Sequence, residues 1–194
     1  MPQVQTPVAL LHAGSYPLDM IKERLNRNSW INAGFDALCE QGPNALAAEP
    51  LARRLSTTKG SFYWHFKDVP TFQAAILNDW QTRAFAKVIT ALEETDSTAD
   101  RLRRFGRAIL NDRQEASLRG WARADPKVAA VVQQVDAERL TYVTNLLGQI
   151  DIRNPDFARA SFAALIGLPQ LPDSSNTANN AAFDALIDLV LALR

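Results

Sequence analysis

Residues 48–67, which read AEPLARRLSTTKGSFYWHFK, restrict the fold of this chain more than any other stretch. They predict two short helices around a tight turn. Leu51 and Leu55 fall on one apolar face at helical spacing. Thr58 is in position to cap a second helix that begins at Lys59 and ends in a dense aromatic cluster. The stretch therefore predicts a helix-turn-helix, the motif whose second helix enters the major groove of DNA.

The letters P-L-A-R-R-L, followed by G-S-F-Y-W-H-F-K-D, make this prediction more specific. Three aromatic residues and a histidine within one helical turn are rare by chance, and the string resembles the TetR (tetracycline-repressor) family of transcriptional regulators. The resemblance extends over residues 25–80. It implies an all-α fold, with a three-helix DNA-binding head and a larger helical domain. It also implies a homodimeric repressor that binds a palindromic operator in double-stranded DNA and is released by an unknown small-molecule effector.

Helical periodicity runs through almost the whole chain, and sustained period-2 alternation is missing, so no sheet is predicted. We expect a loose tail over residues 1–18, the helix-turn-helix domain over 19–68, and the effector-binding and dimerisation domain over 69–194. Besides the two short helices, the predicted helices cover residues 24–41, 68–92, 102–109, 118–124, 128–150, 155–168 and 178–193.

Composition and charge exclude several other classes. The net charge is zero, but residues 1–67 carry a small basic excess and the remainder a matching acidic one. The single cysteine, Cys39, permits no intramolecular disulfide. The two histidines, His12 and His65, do not suggest a metal site, and we expect no cofactor. No apolar run approaches the roughly 18 residues that cross a membrane, so we expect a cytoplasmic protein without a membrane partner.

The predicted DNA contacts lie in and beside the second helix of the motif. Lys59, in its first turn, can pair with guanine O6 and N7. Tyr63, His65 and Lys67 can reach phosphate oxygens, although His65 also suits a structural role at the helix end. Trp64 suits core packing as well as it suits a contact with the DNA backbone. The full predicted set is Thr57, Thr58, Lys59, Gly60, Ser61, Tyr63, Trp64, His65 and Lys67.

Three positions depart from the pattern that the motif resembles. Ser56 stands in the turn where Gly is usual, and a left-handed conformation costs a non-Gly residue about 1–2 kcal/mol. Glu49 places a carboxylate where some family members have a basic DNA contact, and Val69 replaces a common Lys. These departures leave an alternative function open, that of a helical protein-binding adaptor whose helix-turn-helix is degenerate.

The last two helices carry wide apolar stripes at helical spacing. The TetR resemblance implies that this pair meets its two-fold mate in a four-helix bundle, whereas an intrachain core would give the same pattern. The predicted interface residues are Phe162, Leu165, Ile166, Phe183, Leu186, Ile187 and Val190.

The resemblance also implies an effector cavity among the fourth to seventh helices. Ordinary core packing would produce the same apolar residues, so both interpretations stay open. The predicted lining residues are Phe85, Phe105, Ile109, Asn111, Trp121, Val132 and Tyr142.

An enzyme is the remaining class. Asp112 with Glu115, and Asp136 with Glu138, form carboxylate pairs, but arginines at helical spacing predict that they are solvated ion pairs. The sequence offers neither a Ser/His/Asp set nor a Gly-rich phosphate loop, so we predict no enzymatic activity.

Overall fold

The computed structural model of the chain describes residues 25–93 and 97–192. Within these ranges the chain forms nine α-helices and no strand, which confirms the predicted all-α fold. The predicted tail, Arg24, His12 and Leu193 lie outside the described residues. The helices are α1 (Arg27–Gln41), α2 (Ala48–Arg54), α3 (Lys59–His65), α4 (Val69–Glu93), α5 (Thr98–Leu110), α6 (Arg113–Ala122), α7 (Pro126–Gly148), α8 (Pro155–Gly167) and α9 (Asn176–Leu191), with 3₁₀ turns at Pro43–Ala45 and Leu168–Gln170.

An asparagine cap at one end and a glycine at the other set the bounds of α1. The Asn26 side chain accepts a hydrogen bond from the backbone N–H of Ser29 at 2.9 Å, and the Ser29 hydroxyl accepts one from the backbone N–H of Asn26 at 3.2 Å. This reciprocal capping box satisfies two N–H groups that would otherwise lack partners. The helix therefore begins at Arg27, later than predicted. It ends at Gln41, as predicted, and Gly42 follows as its C-cap with a φ of 79° that suits glycine.

An aromatic cluster forms the centre of the head, which consists of α1, α2 and α3. Phe62 on α3 is fully buried, and its ring meets Trp30 of α1 edge-on at 5.4 Å between centroids. Phe72 of α4 contacts both Phe62, at 5.3 Å, and Phe66, at 4.9 Å, also edge-on. Such pairs add about 0.5–1.5 kcal/mol each beyond area burial. The same side chains therefore hold α3 on α1 and fix the head to the first body helix.

The hydrophobic core divides within the body, across the middle of α7. One cluster joins the head and α4 to α6 and the first half of α7, through Leu118, Trp121 and Val132. The other joins α5 and the second half of α7 to α8 and α9. The packing of the head thus continues past residue 68 into α6 and α7.

Several helix boundaries that were predicted in the body are wrong. The fifth helix begins at Thr98 and not at Leu102, because the Ser97 hydroxyl caps it by accepting from the backbone N–H of Asp100 at 3.2 Å. The sixth helix begins at Arg113 and not at Leu118, because the Asp112 side chain caps it by accepting from the backbone N–H of Gln114 at 2.9 Å. The ninth begins at Asn176, since the Ser175 hydroxyl accepts from the backbone N–H of Ala178, at 3.2 Å.

The acidic residues expected to be solvated include one that is buried, which corrects the sequence interpretation. Glu115 and Arg139 are 6% and 3% exposed. Glu115 Oε1 accepts from Arg139 at 2.8 Å and from Arg119 at 2.6 Å, and Arg119 also donates to Asp136. Burial by itself would lower the pKa of Arg119, but the hydrogen bond to Asp136 and the charges of Asp136 and Glu115 raise that pKa above its usual value. The network ties α6 to α7.

A glycine allows α5 and α9 to pack closely. A Cβ added to Gly106 would lie 2.1 Å from the Phe183 ring, a distance that real carbon atoms do not approach. Any larger residue at this position must displace a buried aromatic ring, because Phe183 is 2% exposed. Gly120 on α6 offers a contrast, since a Cβ there meets nothing within 4 Å.

We therefore expect opposite effects from two Gly→Ala changes. Gly106→Ala should overpack the α5–α9 contact and destabilise the protein by about 1–3 kcal/mol. Gly120→Ala, the matched control, should stabilise the protein by about 0.5–1 kcal/mol through helix propensity alone. Thermal denaturation followed by circular dichroism measures both. A melting temperature that rises for Gly106→Ala would contradict this packing.

Candidate nucleic-acid interface

The turn between α2 and α3 is a Schellman motif built around Ser56. The backbone N–H of Thr57 donates to the carbonyl of Ala52 at 2.9 Å, and that of Ser56 donates to the carbonyl of Arg53 at 3.1 Å. Ser56 has a φ of 51°, the left-handed conformation that usually belongs to glycine in this motif. The departure seen in the sequence is therefore accommodated at the cost of local backbone strain.

The start of α3 is fixed by the residue that the sequence identified as its cap. The Thr58 hydroxyl accepts a hydrogen bond from the backbone N–H of Ser61 at 3.3 Å, so the predicted N-cap is confirmed. Lys59 begins the helix, again as predicted. Beyond α3, Asp68 caps the start of the next helix, α4, by accepting from the backbone N–H of Thr71 at 2.8 Å. Hydrogen bonds from Thr71 hold the pKa of Asp68 below its ordinary value.

The outer face of α3 carries large side chains that the core does not use. Trp64 is 88% exposed, which excludes core packing, one of its two interpretations. Tyr63 is 48% exposed, with its ring against Phe62 at 5.3 Å between centroids. Lys59 begins the same short helix and is exposed. The exposed members of the predicted set are Thr58, Lys59, Gly60, Tyr63, Trp64 and Lys67, whereas Thr57, Ser61 and His65 are half-buried.

His65 lies at the inner edge of this face. It is the last residue of α3, it is half-buried, and its ring centroid lies 6.4 Å from that of Trp30. This position combines a structural contact with partial access to solvent, so both sequence interpretations of His65 fit its surroundings.

Arg27 is a basic residue at this surface that sequence reasoning missed. Its guanidinium lies over the Phe66 ring, 5.0 Å from the centroid, and Phe66 caps the C-terminal end of α3. Arg27 is exposed. The wide separation of the two residues in the chain hid this contact. No sequence signal marked Arg27, because the helix was predicted to begin at Arg24 and not at Arg27.

The two arginines of α2 are already paired with carboxylates. Arg54 makes a two-point contact with Glu40 of α1, at 2.9 and 2.5 Å, and hydrogen bonding to Arg54 lowers the pKa of Glu40. Arg53 pairs with Glu49 at 3.3 Å on the exposed surface. Arg54 thus holds α2 on α1, and Glu49 neutralises a charge of its own helix.

The predicted effector residues fall into different regions of the body. Trp121 and Val132 belong to the cluster around the head, with Phe85 packed against it, while Phe105, Ile109 and Tyr142 belong to the distal cluster. Asn111 is exposed. Two clefts lie along α4, of about 380 and 390 Å³. Of the predicted set, Phe105 lines the first and Asn111 the second.

Most of the predicted interface residues are covered by the chain itself, because the apolar stripes of α8 and α9 pack inward. Phe162, Leu165, Phe183, Ile187 and Val190 are at most 6% exposed, and Ile166 and Leu186 are half-buried. The outer faces present other residues. Leu189 is 62% exposed, and the exposed small side chains around it and on α8 are Ala160, Ala163, Ala181, Ala182 and Ala185.

The described residues contain neither a cluster of metal ligands nor a membrane-spanning helix. Between 25 and 93 and between 97 and 192, no three His, Cys, Asp or Glu side chains converge as metal ligands would. No helix in that part of the chain combines the length and the apolar character needed to span a bilayer.

Comparison with solved structures defines the fold. A Rhodococcus sp. protein assigned to the TetR family is 22% identical, with a TM-score of 0.70 over 85% of this chain and 98% of that one. A transcriptional regulator from Rhodococcus sp. Rha1 is 19% identical, with a TM-score of 0.71 over 87% and 97%. A TetR-family regulator from Streptomyces coelicolor is 17% identical, with a TM-score of 0.67 over 86% and 94%. No family model and no curated protein matches the chain.

The chain is therefore an all-α helix-turn-helix protein with the fold of TetR-family transcriptional regulators. The family resemblance read from the aromatic motif is confirmed at the level of the fold.

The turn geometry generates a prediction of its own. Ser56→Gly should stabilise the head by up to about 1–2 kcal/mol, because glycine adopts the left-handed conformation without strain. Thr57→Gly, one residue later and outside the left-handed region, should instead destabilise the head by about 0.5–1 kcal/mol. Urea denaturation gives both values. Equal effects of the two changes would mean that Ser56 is not strained.

Proposed function

We propose that this protein is a DNA-binding transcriptional regulator, acting in the cytoplasm as a homodimeric repressor of a palindromic operator. The exposed outer face of α3 carries the proposal. A tryptophan that is 88% exposed leaves a large apolar surface in water, and Trp64 stands beside Lys59 and Tyr63 on the helix that a helix-turn-helix inserts into DNA. The names of the structural neighbours, all of them regulators in the three comparisons above, support the same function.

The position of each side chain suggests its role. Lys59, in the first turn of α3, reads a base edge in the major groove. Tyr63 and Lys67 donate to phosphates, and Arg27 adds a cation near the C-terminal end of α3. Trp64 packs against the sugar-phosphate backbone. Phosphate contacts set the register on the duplex, whereas the Lys59 contact supplies sequence preference.

A two-fold dimer provides the second half of the operator. A single α3 spans only Lys59–His65 and reads few base pairs, so two-fold assembly doubles the site. Since the inward stripes of α8 and α9 are core, we propose that their outer faces meet, with Leu189 and Ala185 near the centre. Small alanine side chains on both helices permit close approach of the two copies. Residues 69–194 then hold the dimerisation surface and the effector site, and effector binding releases the repressor from DNA.

The DNA contacts can be separated by mutation. Duplexes selected from a randomised library provide the target, and fluorescence anisotropy at several salt concentrations gives the affinity. Tyr63→Phe and Lys67→Ala should weaken binding about equally on all sequences, and Lys67→Ala should also reduce the salt dependence. Lys59→Ala should relax the preference at one position of each half-site by about 1–3 kcal/mol. Lys127→Ala, an exposed position on α7, is the control and should change nothing.

Uniform losses in all three variants, with sequence preference intact, would contradict these roles. If the wild-type protein binds no duplex even at low salt, the helix-turn-helix is degenerate and the adaptor function replaces that of a repressor.

The proposed interface has a separate test. Leu189→Glu changes a side chain that the chain itself leaves 62% exposed, so the fold should survive. In a two-fold interface the change places two like charges together and should split the dimer. Multi-angle light scattering and circular dichroism should then report a folded, helical monomer with reduced DNA affinity. Ala137→Glu, on the exposed face of α7, serves as the control. A Leu189→Glu protein that remains dimeric would place the interface elsewhere.

A further inference from the structure

We propose that a groove along α4 binds an amphipathic anion, with its carboxylate between Arg83 and Lys87 and its apolar body between α4 and α5. This inference rests on the proposed function, for which it supplies the chemical class and the position of the effector. Of the residues that the sequence predicted for an effector cavity, the groove includes only Phe105 and Asn111.

Two adjoining clefts form the groove. The first, of about 380 Å³, lies between α4 and α5 and has Ala86, Thr90, Arg104, Phe105 and Ala108 in its walls. The second, of about 390 Å³, extends from α4 to the start of α6 and to α1. Arg83, Lys87 and Ala108 line both clefts, so they mark the junction of the two halves. Each half has the size of an ordinary small-molecule pocket.

The two halves differ in chemistry. The α4–α5 half is walled largely by methyl, methylene and ring carbons, with Ala86, Phe105 and Ala108 as its apolar surface. The other half is polar and carries Asp36, Cys39, Asn111 and the first residues of α6. A ligand that fits both must have an apolar body and a polar end.

The cations at the junction determine the charge of that polar end. Arg83 pairs with Asp79 through Nε at 2.8 Å, which leaves its terminal amino groups outside that ion pair. Lys87 pairs with Asp112 at 2.9 Å, and one ammonium carries three donors. Both cations remain about half exposed, at 45% and 48% of their side chains.

A planar carboxylate matches the fork geometry of an arginine and forms charge-assisted hydrogen bonds with it. Arg104 lines the apolar half and Arg113 the polar half, where Asp36 and Asp112 also lie, so cationic residues outnumber acidic ones along the groove. The groove therefore favours an anion, and the fork of Arg83 suits a carboxylate.

The same groove touches the DNA-binding head. The Arg83 guanidinium lies over the ring of Phe35 on α1, 4.5 Å from the centroid. Asp36 and Cys39, also on α1, line the polar half, and the Cys39 thiol donates to the backbone carbonyl of Arg113 at 3.7 Å. A ligand that recruits Arg83 competes with its contact on Phe35. Ligand binding and the packing of α1 are then coupled, because both use the Arg83 guanidinium.

Isothermal titration of the full-length protein with octanoate and octanol tests the site directly. Both probes carry the same alkyl chain, and only octanoate is an anion at neutral pH. We expect octanoate to bind about tenfold or more tightly than octanol, the effect of one charge-assisted contact. Arg83→Gln should reduce that difference to the part that Lys87 supplies, Arg83→Lys should keep more of it than Arg83→Gln, and Ala86→Leu should weaken both probes by filling the apolar half. Ala137→Leu is the control for added bulk on an exposed helix face.

Equal affinity for the two probes, an octanoate affinity that Arg83→Gln leaves unchanged, or no binding of either probe would overturn the proposal. Circular dichroism establishes that each variant is folded. A separate experiment adds octanoate to the protein–DNA complex and measures DNA affinity by fluorescence anisotropy. If octanoate binds through Arg83 without changing DNA affinity, the ligand site stands and release by an effector fails. If the protein binds no DNA at all, the two probes still decide whether the groove is an anion site.

Discussion

The aromatic packing around Phe62 is the interaction on which the rest of the head depends. α3 is only two turns long and has little stability of its own, because short helices are marginal in water. Its position comes from Phe62, which contacts both Trp30 of α1 and Phe72 of α4, and from Phe66, which packs on Phe72. Because α3 places its apolar residues inward, Tyr63 and Trp64 necessarily face outward. One cluster thus fixes the helix, leaves its outer face exposed and connects the head to the body.

The packing of the head continues into the body, next to the proposed groove. The core around the head includes residues of α6 and the first half of α7, while the distal core holds α5, α8 and α9. α4 passes along both clusters and carries the cations of the proposed groove. A ligand held between α4 and α5 therefore lies beside the place where the two cores adjoin, and Arg83 reaches from that place to Phe35 in the head.

Local signals in the sequence predicted much of the head correctly. The aromatic motif gave the family fold, Thr58 gave the start of α3, and Ser56 has the left-handed conformation that its place in the turn suggested. These features depend on neighbours a few residues apart. The contacts of Arg27 with Phe66 and of Arg83 with Phe35 join distant parts of the chain, so no local pattern indicated them.

The body was less predictable for a physical reason. An apolar stripe shows that a helix face is covered but does not show what covers it, and the stripe of α9 proved to pack against α5 of the same chain. Phe183 lies on Gly106, a close contact that only the three-dimensional arrangement reveals. The predicted effector residues stay a prediction, and the apolar side chains among them divide between two cores, which periodicity alone does not indicate.

Labelling with 5-fluorotryptophan, followed by ¹⁹F NMR, shows whether the outer face of α3 binds DNA. The chain has four tryptophans, of which Trp64 alone is exposed, whereas Trp30, Trp80 and Trp121 are buried. Assignment by single Trp→Phe variants identifies each resonance. Adding a selected DNA duplex should shift the Trp64 resonance far more than that of Trp121. If the Trp64 resonance of the bound complex keeps its free position, the outer face of α3 does not contact the DNA.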